Sequence, residues 1–433
     1  MKKIVLLFAC ALFISTIGNA QIIDPADKAK DKTTNKVNQK TDEAIDGSLN
    51  KIEDGIKDIF KKKEKKPKKD KSKAGHIGGT QSGGSGSTAN TSQQGDNTNF
   101  DAYKNFDFIP GKDIIFFDDF SDRSTKRWDA YEPSHLGVVQ IENKPWLEVK
   151  GGRFYPVGLK VLPKDFTLEF DAYVLSNAPS GTLDISFVDK SQSDRLADPW
   201  YTNSGNIAVS PVSQMPKTGL GNYEKKINDA ILSPQNEFKF YSWQPQLGNL
   251  HARVSIARKG NRLSLYINEE KVMDNIDFFD SNIDYMLTFH LGTYFIAETR
   301  MYFTNFRLAS GIQNAQNEMA AEGKFVTNAI YFDVASSKIK PESWSTLSQA
   351  AAVIKSTSGN ILIVGHTDAD GSAESNLALS QKRAASVKNA LVSEFGIPAN
   401  RLTTDGKGLA EPIDSNTTAS GKAKNRRVEF IKQ

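Results

Sequence analysis

The amino-acid sequence predicts a multidomain protein in which an all-β sandwich is followed by an α+β domain. Two contrasts along its 433 residues carry this prediction. Residues 113–311 contain short runs of alternating apolar and polar residues broken by turn residues, the pattern of half-buried antiparallel strands. Residues 325–433 instead mix short apolar runs with segments of helical periodicity, which is typical of a sheet covered by helices. The 38% hydrophobic content supports cores for about two or three domains.

The first twenty residues predict an export signal. Two lysines precede an apolar run, Ile4–Ile17, and small residues follow it up to Ala20, the three-part pattern of a secretory signal peptide. The run is shorter than the about 20 residues that span a bilayer, so we expect cleavage and export. Cys10 is the only cysteine. Its acylation is the weaker alternative, because more apolar residues follow it. Once the signal peptide is removed, the mature chain has no cysteine, so we expect neither a disulfide nor a thiolate metal site.

Residues 21–112 predict a disordered linker, because a composition rich in Lys, Asp, Asn, Ser and Gly does not support a packed core. An apolar stripe inside it predicts a short amphipathic helix, or alternatively a homo-oligomeric coiled coil. The stripe consists of Ile45, Leu49, Ile52, Ile56 and Ile59. The lysine-rich run 61–73 is typical of a solvated spacer, with attraction to an anionic surface as the alternative. The Gly/Ser-rich run 74–99 is typical of a flexible tether.

The strongest strand signal in residues 113–311 is a hairpin. His251–Arg258 and Arg262–Asn268 alternate in polarity and flank a turn sequence that contains Gly260. This pattern points five apolar side chains toward a core, namely Val254, Ile256, Leu263, Leu265 and Ile267. Further strands are predicted at Phe166–Val174, Leu183–Val188, Tyr285–Leu291 and Met301–Leu308. An antiparallel sandwich accommodates all of these strands.

A long irregular stretch, about 191–249, contains aromatic residues whose role the sequence leaves open. They are Trp200, Tyr201, Tyr241 and Trp243. Either they form a surface on which sugars stack, or they close one end of the sandwich core, which fits the large burial energy of aromatic rings better. Asp118 and Asp119 alone do not make a calcium site, because calcium takes about 6 to 8 oxygen ligands. We therefore expect no metal and no cofactor.

The pattern of residues 325–433 predicts four strands and two long helices. The strands are expected at Ala329–Val334, Ile361–Val364, Arg401–Thr404 and Arg427–Ile431. Pro341 suits the first turn of one helix, whose apolar face contains Trp344, Leu347, Ala351 and Ile354. The second helix ends before Gly396, a residue typical of helix C-termini.

An acid and a base flank the junction between a strand and the second helix. Asp368 lies in the polar loop after Ile361–Val364, and Arg383 lies in the helix that follows. Arginine grips a carboxylate with a planar fork of donors, and aspartate accepts hydrogen bonds from an ammonium, so the two suit a zwitterionic ligand such as an amino acid. The alternative interpretation is that they form ion pairs with each other, or with Arg426 or Arg427.

The start of this helix affects the electrostatics of the junction. Ser380 is the predicted N-cap, which would put Arg383 in the first turn and aim the positive end of the helix dipole at the ligand carboxylate. Ser375 is the alternative cap.

Residues 325–433 contain several separated motifs, namely Tyr331-Phe332-Asp333, Gly365-His366-Thr367-Asp368, Asn376, Leu379-Ser380, Arg383-Ala384 and Asn425-Arg426-Arg427-Val428-Glu429. In their order and spacing these motifs resemble the OmpA-like peptidoglycan-binding domain. The resemblance implies that Asp368 and Arg383 hold the ammonium and the carboxylate of diaminopimelate in the stem peptide of the cell wall. It also implies further pocket residues, namely Thr367, Asn376, Leu379 and Asn425, with Phe332 and Asp333 at the rim.

Residues 113–311 resemble a laminin-G or concanavalin-like jelly roll. The resemblance lies mainly in Arg253–Val272 and in the closing run Phe303–Leu308. Members of this fold bind varied ligands, so the resemblance implies a fold and leaves the partner of this domain unknown.

These features predict non-covalent binding of peptidoglycan by an exported protein of the periplasm or outer membrane. Nucleic acid is not an expected partner of an exported chain. Catalysis is not expected either, because His366 and Asp368 have no second histidine, cysteine or serine-nucleophile motif near them in sequence. We therefore expect His366 to shape the loop. The alternative function is that of a secreted or surface adhesin whose β domain binds a glycan or a protein.

Overall fold

The computed structural model describes residues 98–433 except residue 160 and the segments 176–180, 196–200, 212–217, 233–235, 293–298 and 312–313. The predicted signal peptide, the predicted linker up to residue 97, and Trp200 lie outside the described residues. All described residues belong to one compact unit. Within it, residues 113–310 form two β-sheets, called the sandwich below. Residues 315–432 form a smaller mixed sheet with helices, called the C-terminal domain.

The described residues of the sandwich form two eight-stranded antiparallel sheets. In chain order the strands are β1 (Asp113–Asp118), β2 (Trp128–Ala130), β3 (Leu136–Ile141), β4 (Lys144–Val149), β5 (Gly152–Pro156), β6 (Asp165–Tyr173), β7 (Thr182–Asp189), β8 (Ser204–Ser210), β9 (Gly219–Ile227), β10 (Ala230–Ile231), β11 (Asn236–Phe240), β12 (His251–Lys259), β13 (Arg262–Ile267), β14 (Glu270–Asn275), β15 (Tyr285–Gly292) and β16 (Met301–Ser310). The first sheet has the order β14-β13-β12-β6-β16-β4-β3, with β1 also paired to β16. The second has the order β10-β9-β8-β7-β15-β5-β2, with β11 paired to β9.

The predicted hairpin is confirmed. Strands β12 and β13 pair antiparallel with Lys259 opposite Arg262, and Gly260 in the turn between them has a positive φ of 59°. Glycine adopts this left-handed conformation without the steric penalty that a Cβ causes. All five apolar side chains that the alternation points inward are 0% exposed. The alternation of side chains along each strand therefore predicted correctly which residues are buried.

Aromatic rings from both sheets share one core. Phe170 and Phe306 of the first sheet stack with ring centroids 5.1 Å apart. Phe289 of the second sheet meets Phe170 edge-on at 5.8 Å. All three side chains are at most 1% exposed, so the two sheets pack face to face over a common apolar layer.

The aromatic residues of the irregular stretch divide between interior and surface. Trp243 is 0% exposed and Tyr201 is 5% exposed, whereas Tyr241 is 56% exposed. The core interpretation therefore holds for Trp243 and Tyr201. Near the end of β1, Asp118 is buried and accepts hydrogen bonds from Nε and Nη2 of Arg127 at 2.9 and 2.7 Å, which occupies its carboxylate within the sandwich.

The C-terminal domain has the predicted α+β architecture with a mixed sheet. Its elements are α1 (Ala315–Glu322), β17 (Lys324–Thr327), α2 (Trp344–Ser356), β18 (Ile361–His366), α3 (Ala373–Ser393), β19 (Leu402–Gly408), α4 (Ala419–Asn425) and β20 (Val428–Lys432). The strand order is β17-β20-β18-β19, in which β18 and β19 are parallel and the other pairs antiparallel. No helix among the described residues is long and apolar enough to cross a bilayer.

The predicted first strand of this domain, Ala329–Val334, is wrong. The strand lies earlier, at β17, where Phe325 stacks on Phe430 of β20 with ring centroids 4.5 Å apart. Phe332 makes only an isolated bridge to Ile339. The chain after β17 thus folds back on itself as a loop, so its apolar residues find local partners and join no sheet.

Residues 98–112, which the composition assigned to the linker, pack on both domains. Phe106 and Phe108 each contact Tyr266 of β13 with ring centroids 5.4 Å apart. Phe100 lies 5.4 Å from Trp344 of α2. The segment differs from the polar linker before it because these three phenylalanines bury apolar surface.

The sandwich and the C-terminal domain contact each other directly. The hydroxyl of Tyr331 donates a 3.0 Å hydrogen bond to the buried carboxylate of Glu169 in β6. On another side, Ala423 of α4 packs against Ile114 and Phe117 of β1. Polar and apolar contacts therefore both fix the C-terminal domain against the first sheet.

Candidate functional site

Two glycines set the distance between α3 and the sheet beneath it. A Cβ on Gly365 of β18 would lie 2.4 Å from the backbone oxygen of Ser380, and a Cβ on Gly406 of β19 would lie 2.4 Å from Ser380 Oγ. Because neither glycine carries that atom, Ser380 can rest on the sheet, where its Oγ accepts a 2.9 Å hydrogen bond from Gly408 N. This close packing fixes Arg383, one helical turn further along α3.

Asp368 is buried at the start of the loop that joins β18 to α3. Its side chain is 12% exposed, and its Oδ2 accepts a 2.6 Å hydrogen bond from Arg426 Nη1. Its Oδ1 accepts a 3.2 Å hydrogen bond from the backbone N–H of Asp370. Asp368 therefore pairs with Arg426, one of the partners that the alternative interpretation allowed. Among the described residues, no ion pair within 4.0 Å joins Asp368 to Arg383.

Arg383 is half-buried and held on two sides. Its Nε donates a 3.0 Å hydrogen bond to the carbonyl of Ser336, and its guanidinium lies 4.8 Å from the centroid of the Phe332 ring. Burial and the positive charge of Arg426 lower the pKa of Arg383 to about 10, while the negative charge of Asp368 opposes this shift. The guanidinium is still charged at neutral pH. In the part of the chain that is described, its two Nη groups have no hydrogen-bond partner, so they are free to grip a carboxylate.

The predicted N-cap at Ser380 is wrong. Helix α3 begins at Ala373, and the side chain of Ser372 caps it by accepting a 3.1 Å hydrogen bond from Ser375 N. Ser375, the alternative cap, lies inside the first turn. Arg383 is consequently about 15 Å from the helix N-terminus. The dipole effect falls off within the first turn, so it does not favour a carboxylate at Arg383.

Asn376 and Asn425 use their amides to shape the loops of the site. Asn376 Nδ2 donates a 2.9 Å hydrogen bond to the carbonyl of Asp370. Asn425 Oδ1 accepts hydrogen bonds from both backbone N–H groups of residues 413–414, and its Nδ2 donates to Asn416 Oδ1 at 2.9 Å. Both asparagines are buried, so their contribution to a ligand site is to hold its loops in place.

The remaining predicted residues are Thr367, Leu379, Phe332 and Asp333. Phe332 contacts Arg383 through its ring face. The backbone N–H of Thr367 donates to Gly408 O at 2.9 Å. The Thr367 hydroxyl is buried and has no hydrogen-bond partner in the part of the chain that the structure describes. Leu379 and Asp333 are half-buried.

His366, at the end of β18, is 2% exposed. Its Nε2 lies 3.4 Å from Glu429 Oε1, but neither ring nitrogen has a hydrogen-bond partner among the described residues. Burial and then the charge of Arg427 lower the pKa of His366, so the ring is neutral at pH 7. Across the described residues, no group of three or more His, Cys, Asp or Glu side chains could hold a metal ion.

Sequence reasoning missed that the sandwich reaches this site. Arg426 lies between Asp368 and Asp119, whose Oδ2 is 3.6 Å from Arg426 Nη2. The ring of Phe117 lies 5.2 Å from the same guanidinium. The acids at the end of β1 are visible in the sequence, but no local pattern indicates that β1 faces α4.

Comparison with known proteins identifies the C-terminal domain. The sequence profile of the OmpA family matches residues 331–426 of this chain. YfiB of Escherichia coli (strain K12) is 40% identical over 107 residues, a match that covers 24% of this chain and 67% of YfiB. The chain belongs to the OmpA family. This membership confirms the resemblance of residues 325–433 and does not extend to the sandwich.

Further OmpA-family similarities concern the same domain. Outer membrane protein A of Bordetella avium is 48% identical over 109 residues, which cover 25% of this chain and 56% of that relative. The chain thus spans about half the length of this curated relative. Among solved structures, the peptidoglycan-associated lipoprotein from Burkholderia pseudomallei is 33% identical, with 28% of this chain and 98% of that chain covered and a TM-score of 0.24.

Proposed function

We propose that this protein binds peptidoglycan non-covalently through its C-terminal domain and so links the cell envelope to the wall. Membership of the OmpA family supports this proposal. The observation that carries it is the charged guanidinium of Arg383, whose Nη groups have no hydrogen-bond partner among the described residues. The carboxylate of Asp368 lies near enough to act on the charge of this guanidinium, since it opposes the lowering of the Arg383 pKa. An ammonium beside a carboxylate is the ligand chemistry that fits these two groups.

The ligand in this proposal is the free end of diaminopimelate in a stem peptide. Its carboxylate takes the two Nη groups of Arg383 in a bidentate hydrogen bond. Its ammonium binds Asp368, whose two oxygens offer about four acceptor sites. Arg426 and the N–H of Asp370 use two of them, so the ammonium does not have to displace Arg426.

Binding without catalysis is part of the same proposal. A general acid or base works best with a pKa near the operating pH and within reach of its substrate. His366 is buried, and its pKa is lowered by that burial. We propose that it supports the end of β18 and takes no part in bond breaking.

Co-sedimentation with purified sacculi tests the proposal. The wild type should sediment, whereas Asp368→Ala and Arg383→Ala should each lose binding by at least about ten-fold, because each removes a charge-assisted hydrogen bond. Glu394→Ala and Lys324→Ala are the matched controls, since both charged residues are exposed on the same domain and neither is next to Arg383 in the chain. Free diaminopimelate should compete with the sacculi. Undiminished sedimentation of both site variants would contradict the residue assignment.

We further propose that the protein is exported to the periplasm or outer membrane, where peptidoglycan is accessible. The outer-membrane name of its Bordetella relative supports this location. For the sandwich, we propose the laminin-G or concanavalin-like jelly-roll type that its strand motifs resemble.

A second candidate function is that of an adhesin whose sandwich binds a glycan or protein. The exposed rings of Tyr131 and Tyr241, 69% and 56% accessible, favour it because sugars stack on exposed aromatic faces. Glycan-array binding by the wild type that is lost in Tyr131→Ala or Tyr241→Ala would support this function. Absence of any array signal would argue against the glycan form of it.

A further inference from the structure

A cavity of about 160 Å³ lies between the sandwich and the C-terminal domain, next to the proposed ligand site. Arg383 and Phe332 line it on the side of the C-terminal domain, and Asn305 and Phe117 line it on the side of the sandwich. Its volume is well below the about 300–1,000 Å³ of pockets that enclose drug-sized ligands. The cavity therefore suits one small polar group of a larger ligand.

The wall of this cavity is cationic. Its lining contains Arg253, Arg307, Lys340, Arg383, Arg426 and Arg427, and none of the described residues that line it is Asp or Glu. Among the described residues, five of these cations are paired with carboxylates that do not line the cavity, so the uncompensated charge there is that of Arg383. The cavity therefore suits one anionic group.

Most of these cations are held by carboxylates that do not line the cavity. Arg253 and Arg307 share Glu169 at 2.8 and 3.1 Å, Lys340 pairs with Glu342 at 2.8 Å, Arg426 with Asp368 at 2.6 Å, and Arg427 with Glu429 at 2.7 Å. Arg383 differs, because no carboxylate lies within 4.0 Å of it in the described part of the chain. The ion pairs keep the wall rigid while Arg383 keeps its donors for a ligand.

The sandwich side of the wall also contains donors without acceptors. Nε of Arg253 and Nε of Arg307 are buried and have no hydrogen-bond partner among the described residues, and Arg307 is only 2% exposed. An unpaired buried donor is costly, and more so when it is charged. Both arginines line the cavity, so an anion inside it would stabilise their positive charge.

A β-bulge in β16 orients the side chain of Asn305. The register between β16 and β6 shifts between Thr304 and Arg307, and Asn305 has a positive φ of 53°. Such bulges turn a side chain out of the regular alternation of a strand. Asn305 Nδ2 donates a 2.6 Å hydrogen bond to Asp171 Oδ2, which holds the amide and leaves its second N–H for another acceptor.

We propose that the cavity binds a second carboxylate of the same ligand, so that the site is built by both domains and selects dicarboxylates. This inference rests on the proposed function. Arg383 holds one carboxylate of the diaminopimelate residue, and the other enters the cavity and is held by Asn305 and the sandwich cations. Stem peptides that end at diaminopimelate keep both carboxylates free and are the preferred class. Extending the peptide beyond that residue turns one carboxylate into an amide and weakens binding.

Two seven-carbon acids test this selection in the full-length protein. Pimelate has the carbon skeleton of diaminopimelate with two carboxylates and no ammonium, and heptanoate has one carboxylate on the same chain length. Isothermal titration calorimetry should show pimelate binding at least about ten-fold more tightly than heptanoate, since one charge-assisted hydrogen bond supplies a factor of this size. Asn305→Gly, which tolerates the positive φ, should remove most of this preference.

Asn143→Gly is the matched control, because Asn143 also has a positive φ, 62°, and lies exposed in the turn between β3 and β4 of the sandwich. It does not line the cavity. Thermal unfolding of both variants, with and without pimelate, provides a second readout, since a ligand of the folded state raises the melting temperature.

Equal affinities of the wild type for pimelate and heptanoate would overturn the inference, as would an undiminished preference in Asn305→Gly. If either result were accompanied by normal sedimentation on sacculi, the dicarboxylate site would be refuted while the proposed function, peptidoglycan binding, would remain valid. A preference for pimelate that depends on Asn305, without sacculus binding, would keep the dicarboxylate site and refute the proposed function.

Discussion

Replacing Gly365 by alanine should damage stability and ligand binding together. The new Cβ would lie 2.4 Å from the backbone oxygen of Ser380, about 1 Å short of an ordinary contact of 3.4 Å. Both atoms belong to rigid elements, β18 and α3, so neither can rotate away. Overpacking of this kind typically costs about 1–3 kcal/mol, and we expect about 3 kcal/mol here. The displaced helix also carries Arg383, so sacculus binding should fall about ten-fold, as on losing one charge-assisted hydrogen bond.

Urea unfolding measures the first effect, and co-sedimentation at a temperature where the variant remains folded measures the second. Gly137→Ala is the matched control, since the nearest atom to its Cβ would be Glu148 Oε2 at 3.8 Å. It should change the free energy of unfolding by less than about 0.5 kcal/mol. A Gly365→Ala protein that unfolds and binds like the wild type would refute the claim that this close approach positions Arg383.

Three other substitutions test separate contacts. Tyr331→Phe removes the hydroxyl that donates to the buried Glu169 and should lower the free energy of urea unfolding by about 1.5 kcal/mol, a hydrogen bond to a charged group; no change would mean that the hydroxyl adds nothing there. His366→Gln should make stability less sensitive to acid. In the wild type the pKa of folded His366 is lowered, so the unfolded state binds its proton first and stability falls as pH drops through about 6.5. Urea unfolding at pH 7.5 and 5.5 checks this, and an equal loss in both proteins would contradict it. Asp119→Asn removes a partly exposed carboxylate 3.6 Å from Arg426 and should cost less than about 1 kcal/mol; a larger loss in urea unfolding would show that this pair is a principal link between the domains.

Local physics explains which parts of the fold could be predicted. The hairpin of β12 and β13 follows from two alternating runs and a turn glycine within 17 residues, 251–267. Strand β18 follows from a short apolar run that is buried in the sheet. In each case the side-chain pattern and the backbone geometry agree within one element. No distant partner had to be known.

The errors arose where a distant partner decided the structure. Serine is a common N-cap residue, but Ser380 lies in the middle of α3, where Gly365 and Gly406 let it pack against the sheet. Residues 329–334 form a short apolar run of the kind found in strands, but β17 already occupies the sheet edge beside β20. In both places the local sequence is compatible with the predicted element, but tertiary packing favours a different structure.

The same reasoning separates the two halves of the candidate site. Asp368 and Arg383 lie 15 positions apart on consecutive elements, so a motif can reveal them. The opposite wall of the cavity comes from β1 and β16, among them Phe117 and Asn305, and nothing near Asp368 in sequence points to them. A domain of this family without the sandwich would present Arg383 to solvent on that side. Here the arginine shares a cavity with Asn305 of the sandwich, so the proposed selectivity of the site for a second carboxylate depends on the packing between the domains.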